Sequence, residues 1–112
     1  KEAMEHVGPS LLICYSPCIE QGIKNGMTCS LEEQKLAIKA GYNLLMRYDG
    51  ASEILTIDSK KPDFGLYEEL LNKEVRYKAL KIKDDNLANE LLKRQKDNAI
   101  KRYKYYENLV KK

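Results

Sequence analysis

The stretch Ser10–Tyr15 (SLLICY) is a short, nearly continuous apolar run, and Pro17 follows it closely. An apolar run without alternating polar residues is typical of a strand covered on both faces, as in the parallel sheets of α/β proteins. Proline cannot donate a hydrogen bond to a central ladder, so Pro17 ends the predicted strand. We therefore expect an α/β fold in which this strand belongs to a larger sheet, although the sequence offers it few neighbours.

The next elements along the chain are a predicted helix and a second strand. Ser30 and Glu33 fit the S-x-x-E capping box, and apolar residues recur at helical spacing from there as far as Tyr48. Residues 54–57 (ILTI) form a β-branched run that predicts the second strand. This part of the chain therefore has the order strand, loop, helix, strand.

Aspartates mark the starts of the helices in the second half. Asp63 is suited to cap a helix, and Asp84-Asp85 begin a long polar helix that we expect to reach about residue 111. Its apolar stripe is narrow, so the helix should lie on a surface. The expected architecture is a helix-dominated α/β fold with two short strands and a long C-terminal helix.

Length and composition predict one small globular unit. The 112 residues are 43% hydrophobic and 33% charged, which does not fit a disordered tail. The longest uncharged apolar run is far too short to span a bilayer, so no membrane partner is expected. Because the chain begins with Lys1 rather than Met, we expect a piece of something larger. Residues 1–112 then form a single partial domain, in which 8–58 are the strand-loop-helix-strand part and 59–112 are a C-terminal helical extension.

The net charge of +3 is unevenly distributed. Residues 1–58 carry 5 Lys/Arg against 8 Asp/Glu, whereas residues 59–112 carry 15 against 9. A basic half raises the question of nucleic acid, but acidic residues are interleaved with the basic ones and no RNP-like or helix-turn-helix pattern occurs. We expect a solvated helix face and no nucleic-acid partner. The alternative that this half leaves open is a helical interaction module that binds an acidic protein partner through residues 60–112.

Three cysteines are the main candidates for chemistry. An odd number of cysteines in a chain without a signal peptide indicates a reducing, cytoplasmic compartment rather than a disulfide framework. Cys14 lies within the predicted strand, so we expect it to be buried, and Cys29 is predicted to be a loop residue. Cys18 lies at the mouth of the strand, where a thiolate could reach a metal centre. The spacing alone is a weak signal, because an iron–sulfur cluster normally takes four cysteines.

No other motif indicates catalysis. His6 is the single histidine, and we expect it to face solvent rather than act as a general base. Neither G-x-G-x-x-G nor the P-loop pattern occurs. Acidic pairs such as Glu32-Glu33 lie near helix N-termini, where they complement the helix dipole. We therefore assign no catalytic and no cofactor-binding residue in this chain, and Cys18 is the one candidate metal ligand.

The segment 8–19 (GPSLLICYSPCI) resembles the stretch GPSLIIAYAPCI near the C-terminus of pyruvate:ferredoxin (flavodoxin) oxidoreductases. The similarity continues in register over residues 8–112. Further matching motifs are Glu32–Lys35 (EEQK), Arg47-Tyr48, Thr56–Lys60 (TIDSK), Glu74–Tyr77 (EVRY) and Arg102-Tyr103.

The resemblance implies that the chain is the C-terminal part of a thiamine-diphosphate-binding domain in a large homodimeric enzyme. Such enzymes oxidatively decarboxylate pyruvate to acetyl-CoA and pass electrons through [4Fe-4S] clusters to ferredoxin or flavodoxin. Cys18 matches the cysteine of the Y-[AS]-P-C motif, which implies that it is the fourth ligand of the cluster nearest the thiamine. The motif that binds diphosphate and magnesium, and the other three cysteines, would lie in the remainder of the same polypeptide. The chain alone is therefore expected to be inactive and to hold no cofactor.

The chain departs from the family pattern at two places, and the residues that contact pyruvate would lie outside it. Family members often have a histidine shortly after the cysteine, where this chain has Gln21. The connection between Asp49 and Glu53 is also shorter than usual and lacks a proline. Neither departure involves Cys18, and both leave open a related 2-oxoacid as substrate.

Overall fold

A computed structural model describes residues 1–18 and 26–110 of the chain. Helices dominate these ranges, as predicted. The elements are α1 (Glu2–Glu5), a 3₁₀ turn (Met27–Cys29), α2 (Ser30–Lys39), β1 (Met46–Asp49), β2 (Ile54–Ile57), a second 3₁₀ turn (Phe64–Leu66), α3 (Tyr67–Lys73), α4 (Val75–Lys83) and α5 (Asp85–Val110). Gln21 and residue 111 lie outside the described residues.

The predicted strand at Ser10–Tyr15 is not formed. This segment has no regular secondary structure, and its apolar side chains are open to solvent, with Leu11 84%, Leu12 70% and Ile13 89% exposed. Cys14 is exposed as well, so its predicted burial is wrong. A buried strand needs neighbouring strands that pair with its backbone and other elements that cover both of its faces. Within the described residues no strand pairs with this segment.

The two strands that are present form an antiparallel hairpin, in which Met46 pairs with Ile57 and Asp49 with Ile54. The strand at 54–57 is confirmed, but its partner β1 lies where the helix was predicted to continue. Arg47 on β1 donates hydrogen bonds of 2.7 and 2.8 Å to the two carboxylate oxygens of Asp58, which hold the pKa of that carboxyl below its usual value. These hydrogen bonds connect the start of β1 to the residue that follows β2, so they stabilise the open end of the hairpin.

Helix α2 ends at Lys39, well before the predicted end at Tyr48. Gly41 has a φ of +77°, and two hydrogen bonds close the helix: Gly41 N–H donates to the Ile38 carbonyl (3.2 Å) and Tyr42 N–H to the Ala37 carbonyl (2.9 Å). This is the Schellman arrangement, which depends on a glycine at the left-handed position. The apolar residues that continue the helical spacing beyond Gly41 lie in the hairpin and the segment that leads into it, not in α2.

The capping box at the start of α2 is not formed either. Cys29 is the N-cap residue and no side chain caps the helix, because a 3₁₀ turn leads directly into it. The Glu33 side chain is 2% exposed, so it packs inward instead of reaching back to Ser30. The predicted start at Asp84 is confirmed, because Asp84 Oδ1 accepts from Leu87 N–H (2.9 Å). Asp63 Oδ1 accepts from Gly65 N–H (2.9 Å), but it caps the 3₁₀ turn that leads into α3 rather than α3 itself.

The core lies where α2, α3 and α5 meet. Its buried residues are Leu36, Ala37, Ala40, Tyr67, Leu70 and Ala99. The alanines are almost completely inaccessible, which lets the helix backbones approach closely. Most other positions of α5 are exposed, as expected for a surface helix. Among the described residues, none of the helices has both the length and the apolar character to cross a membrane.

Candidate functional site

Two distant segments of the chain form the walls of one cleft of about 360 Å³. Residues 15–18 (YSPC) line one side, and the other side includes Glu74, Arg76 and Tyr77 of the EVRY motif. Tyr42, Leu70 and Leu71 complete the lining. The cleft therefore brings together two motifs that are more than fifty residues apart in the sequence.

Cys18 lies in this cleft with its side chain exposed. The preceding Pro17 is buried, and the ring of Tyr15 packs edge-on against Tyr42 with 5.5 Å between centroids. These contacts fix the short segment that carries the thiol. Cys18 is exposed, but the strand at whose mouth it was predicted to lie is not formed.

Among the described residues, Cys18 is not part of any group of three or more His, Cys, Asp or Glu side chains that could hold a metal ion. Cys14 is exposed and does not line the cleft. Cys29 is half-buried, with its Sγ 4.0 Å from Thr28 Oγ1. His6 is exposed, as predicted. The chemistry and exposure of the Cys18 thiol fit one ligand position of a multi-cysteine metal centre, and the remaining ligands would have to come from outside these residues.

A row of aromatic rings supports the cleft from behind. Tyr42 contacts Tyr15 on one side and Tyr67 on the other, with 6.2 Å between the second pair of centroids. Arg102 on α5 donates to the carbonyls of Gly41 (3.1 Å) and Tyr42 (2.7 Å). Sequence reasoning missed Tyr42 as part of the site; the turn glycine immediately before it is the signal that could have found it.

Two carboxyl groups lie close to Tyr15 in this supporting layer. Burial raises the pKa of Glu33, with Lys73 opposing the shift and Glu74 adding to it. Burial also raises the pKa of Glu74. Burial, followed by the charges of Glu74 and Glu33 and by Tyr42, raises the pKa of Tyr15 to about 12. The Tyr15 hydroxyl therefore stays protonated at neutral pH.

Tyr77 and Arg76 both line the cleft, and within the part of the chain that the structure describes neither side chain has a hydrogen-bond partner. Tyr77 is 9% exposed, and its buried hydroxyl oxygen has no hydrogen-bond partner. Burial, with Glu68 and Asp85, raises the pKa of this hydroxyl, which keeps its proton in place. The exposed Arg76 forms no hydrogen bond or ion pair with another residue in the described ranges. The cleft is thus lined by Cys18, by the exposed Arg76 and by Tyr77, whose hydroxyl is buried.

No protein-family model matches the chain. Among curated proteins, it is 39% identical to a pyruvate-flavodoxin oxidoreductase of Klebsiella pneumoniae and 36% identical to the pyruvate:ferredoxin oxidoreductase of Moorella thermoacetica. It is 33% identical to the mitochondrial pyruvate dehydrogenase [NADP(+)] of Euglena gracilis. Each match covers 97% of this chain, but only 10%, 10% and 6% of the respective relatives. In sequence, the chain is therefore a segment of the pyruvate:ferredoxin (flavodoxin) oxidoreductase type, and it spans 6–10% of the length of these relatives.

Proposed function

We propose that this chain is part of an enzyme that oxidatively decarboxylates pyruvate to acetyl-CoA and transfers the electrons to ferredoxin or flavodoxin. The relatives that match nearly all of its residues are pyruvate oxidoreductases by name. Their names differ in the electron acceptor: flavodoxin, ferredoxin and NADP⁺. The substrate is pyruvate or a closely related 2-oxoacid.

Within such an enzyme, Cys18 would be the fourth ligand of a [4Fe-4S] cluster. The observation that carries this proposal is the exposed Cys18 thiol in a cleft whose two walls are matching family motifs. When bound, the cluster supplies one-electron transfer. The other three thiolates, and the groups that hold thiamine diphosphate and magnesium, would belong to the remainder of the same polypeptide. The isolated chain, a single partial domain, would then be inactive.

The contribution of this chain's own residues is to fix the position of the thiol. Pro17 is buried and Tyr15 packs on Tyr42, so the YSPC segment is held from both sides. Arg102 in turn binds the carbonyl of Tyr42. Outer contacts of this kind orient metal ligands and determine how well they bind. The enzyme would be a homodimer in the cytoplasm, a compartment in which thiols stay reduced.

Cysteine variants of the intact enzyme test the ligand assignment. We expect Cys18→Ala to abolish or alter the electron paramagnetic resonance signal of one cluster and to slow electron transfer to the acceptor. Cys14→Ala is the matched control, because Cys14 is also exposed but lies outside the cleft; it should leave the signal unchanged. Identical spectra for Cys18→Ala and the unmodified enzyme would refute the assignment.

The alternative of an independent interaction module is less well supported. The matches to pyruvate oxidoreductases cover 97% of the chain, so they include nearly all of its basic half. The same half also contributes Arg76, Tyr77 and Arg102 to the cleft and its support. Residues 60–112 are therefore integrated with the segment that carries Cys18. Salt-sensitive capture of an acidic protein by the chain alone would favour the alternative.

A further inference from the structure

A short apolar segment near the start of the chain is exposed to solvent along its whole length. Leu11 is 84%, Leu12 70% and Ile13 89% exposed, and Cys14 is exposed as well. Within the described residues, no backbone hydrogen bond joins residues 11–14 to another part of the chain. Consecutive large apolar side chains left in water are unusual in a soluble protein and mark a surface that another element covers.

Contacts on either side hold this segment in place. Before it, Glu2 in α1 forms an ion pair of 2.7 Å with Arg47 of β1. Ser10 Oγ then donates a hydrogen bond of 3.1 Å to the carbonyl of Ala3 in the same helix. After it, Pro17 is buried. The segment is therefore presented to solvent between two attached flanks, which distinguishes it from a free chain end.

We infer that residues 11–14, which we call the docking segment, bind as a strand in a β-sheet formed by the remainder of the same polypeptide. The inference rests on the proposed function, in which this chain is part of a longer enzyme. The segment alone has no regular secondary structure, so the partner supplies the pairing of its backbone. Successive side chains of a strand alternate between the two faces of a sheet, and all four here are apolar. The partner is therefore a sheet that is covered on both faces.

The remainder of the polypeptide fits this role better than a second copy of the chain. The chain spans only 10% of the length of two of its relatives, so most of such a polypeptide lies outside it. A stable interface between separate chains takes about 20–30 residues a side, which a segment of four residues does not supply. A covalently linked partner needs far less contact, because the linkage raises its effective concentration.

Hydrogen–deuterium exchange of the intact enzyme, measured by mass spectrometry of its peptides, tests the inference. We expect the amides of the docking segment to exchange at least about a hundredfold more slowly than in a synthetic peptide of the same sequence. In the 112-residue chain alone they should exchange at nearly the rate of the peptide, because no backbone hydrogen bond among the described residues protects them.

Ile13→Asp and Ile82→Asp are a matched pair of variants, since both isoleucines are 89% exposed in the chain. Neither variant should change the urea midpoint of the 112-residue chain. In the intact enzyme, Ile13→Asp would bury a charge and should abolish the slow exchange of the docking segment, whereas Ile82→Asp on α4 should preserve it. If the Ile13→Asp enzyme fails to fold, Ile13→Ala, which only removes contacts, should speed exchange of the segment about tenfold or more.

The outcomes separate the inference from the proposed function. Fast exchange of the docking segment in the intact enzyme overturns the inference and leaves the ligand role of Cys18 standing, since that role is tested by the spectrum of Cys18→Ala. Protection in the 112-residue chain that increases with its concentration also overturns the inference, because a second copy would then be the partner. Equal effects of Ile13→Asp and Ile82→Asp on the exchange would overturn it as well. Slow exchange together with an unaltered Cys18→Ala spectrum would support the docking and refute the ligand assignment.

Discussion

Substituting Gly41 with alanine should destabilise the chain more than the same substitution at Gly26 or Gly50. Gly41 has a φ of +77°, and a Cβ at this position would lie 2.7 Å from Phe64 Cε1 and 2.9 Å from Pro62 Cβ. Ordinary contacts between carbon atoms are about 3.5–4.0 Å, so both neighbours would have to move. The substitution combines a left-handed backbone with a steric clash.

The magnitude follows from these two contributions. A residue with a Cβ in the left-handed region costs about 1–2 kcal/mol, and overpacking costs about 1–3 kcal/mol. The free energy of unfolding should therefore fall by about 2–5 kcal/mol. That is a large part of the about 5–15 kcal/mol typical of whole domains.

Two other glycines separate the contributions. Gly26 has a φ of +80° and a ψ of 177°, a backbone conformation that is essentially restricted to glycine, but a Cβ there would meet nothing within 4 Å; Gly26→Ala should therefore cost only backbone strain, about 1–3 kcal/mol. Gly50 has neither a positive φ nor a close neighbour, and Gly50→Ala should lie between no change and a gain of about 1 kcal/mol.

Urea unfolding of the 112-residue chain, followed by circular dichroism, measures all three variants. With a slope of about 1–3 kcal/mol/M, Gly41→Ala should lower the midpoint by roughly 1–3 M with the slope unchanged. A loss for Gly41→Ala no larger than the backbone strain alone, about 1–2 kcal/mol, would show that the contacts with Phe64 and Pro62 cost little. A Gly41→Ala variant as stable as Gly50→Ala would refute the account of how α2 ends.

Two further predictions concern the support of the cleft. Burial raises the pKa of Glu33 in the folded chain, so the folded state binds more protons than the unfolded state above the ordinary carboxyl pKa, and stability falls as pH rises through that window. Glu33→Gln should increase the free energy of unfolding at neutral pH and flatten its pH dependence. Glu32→Gln, an exposed neighbour with the same loss of charge, should do neither. Urea unfolding between pH 4 and 8 measures both variants, and a Glu33→Gln chain less stable than the unmodified chain at every pH would contradict the prediction. Arg102→Met removes two hydrogen bonds to the turn at Gly41 and Tyr42 and should cost about 1–2 kcal/mol. Lys101→Met is its control, and equal losses in the two variants would mean that these bonds do not stabilise the turn.

Features that depend on a few adjacent residues could be predicted from the sequence. Asp84 marks the start of α5, and Asp63 marks the start of the 3₁₀ turn before α3, because a capping side chain needs only the next two or three backbone N–H groups. The end of α2 was equally local, but the apolar residues after Gly41 continued the helical period and obscured it. In that case the left-handed glycine prevailed over periodicity.

Features that depend on distant partners could not be predicted in this way. Ser10–Tyr15 has the composition of a buried strand, yet composition supplies neither the pairing nor the cover that such a strand needs. The site shows the same division. Cys18 was recognised through a family motif, but nothing in the spacing of the YSPC and EVRY motifs indicates that they share a cleft. The two motifs share a cleft because residues of α3 and α4 line it together with residues 15–18.

The hydrogen bonds from Arg102 have a consequence for biosynthesis. Arg102 follows Cys18 by more than eighty residues, which a ribosome translates in roughly 4–17 seconds at about 5–20 residues per second. Until then the turn that carries Tyr42 lacks its anchor on α5, and the thiol is made long before its surroundings are complete. Any reaction of this thiol that needs the finished cleft should therefore wait until α5 has been synthesised.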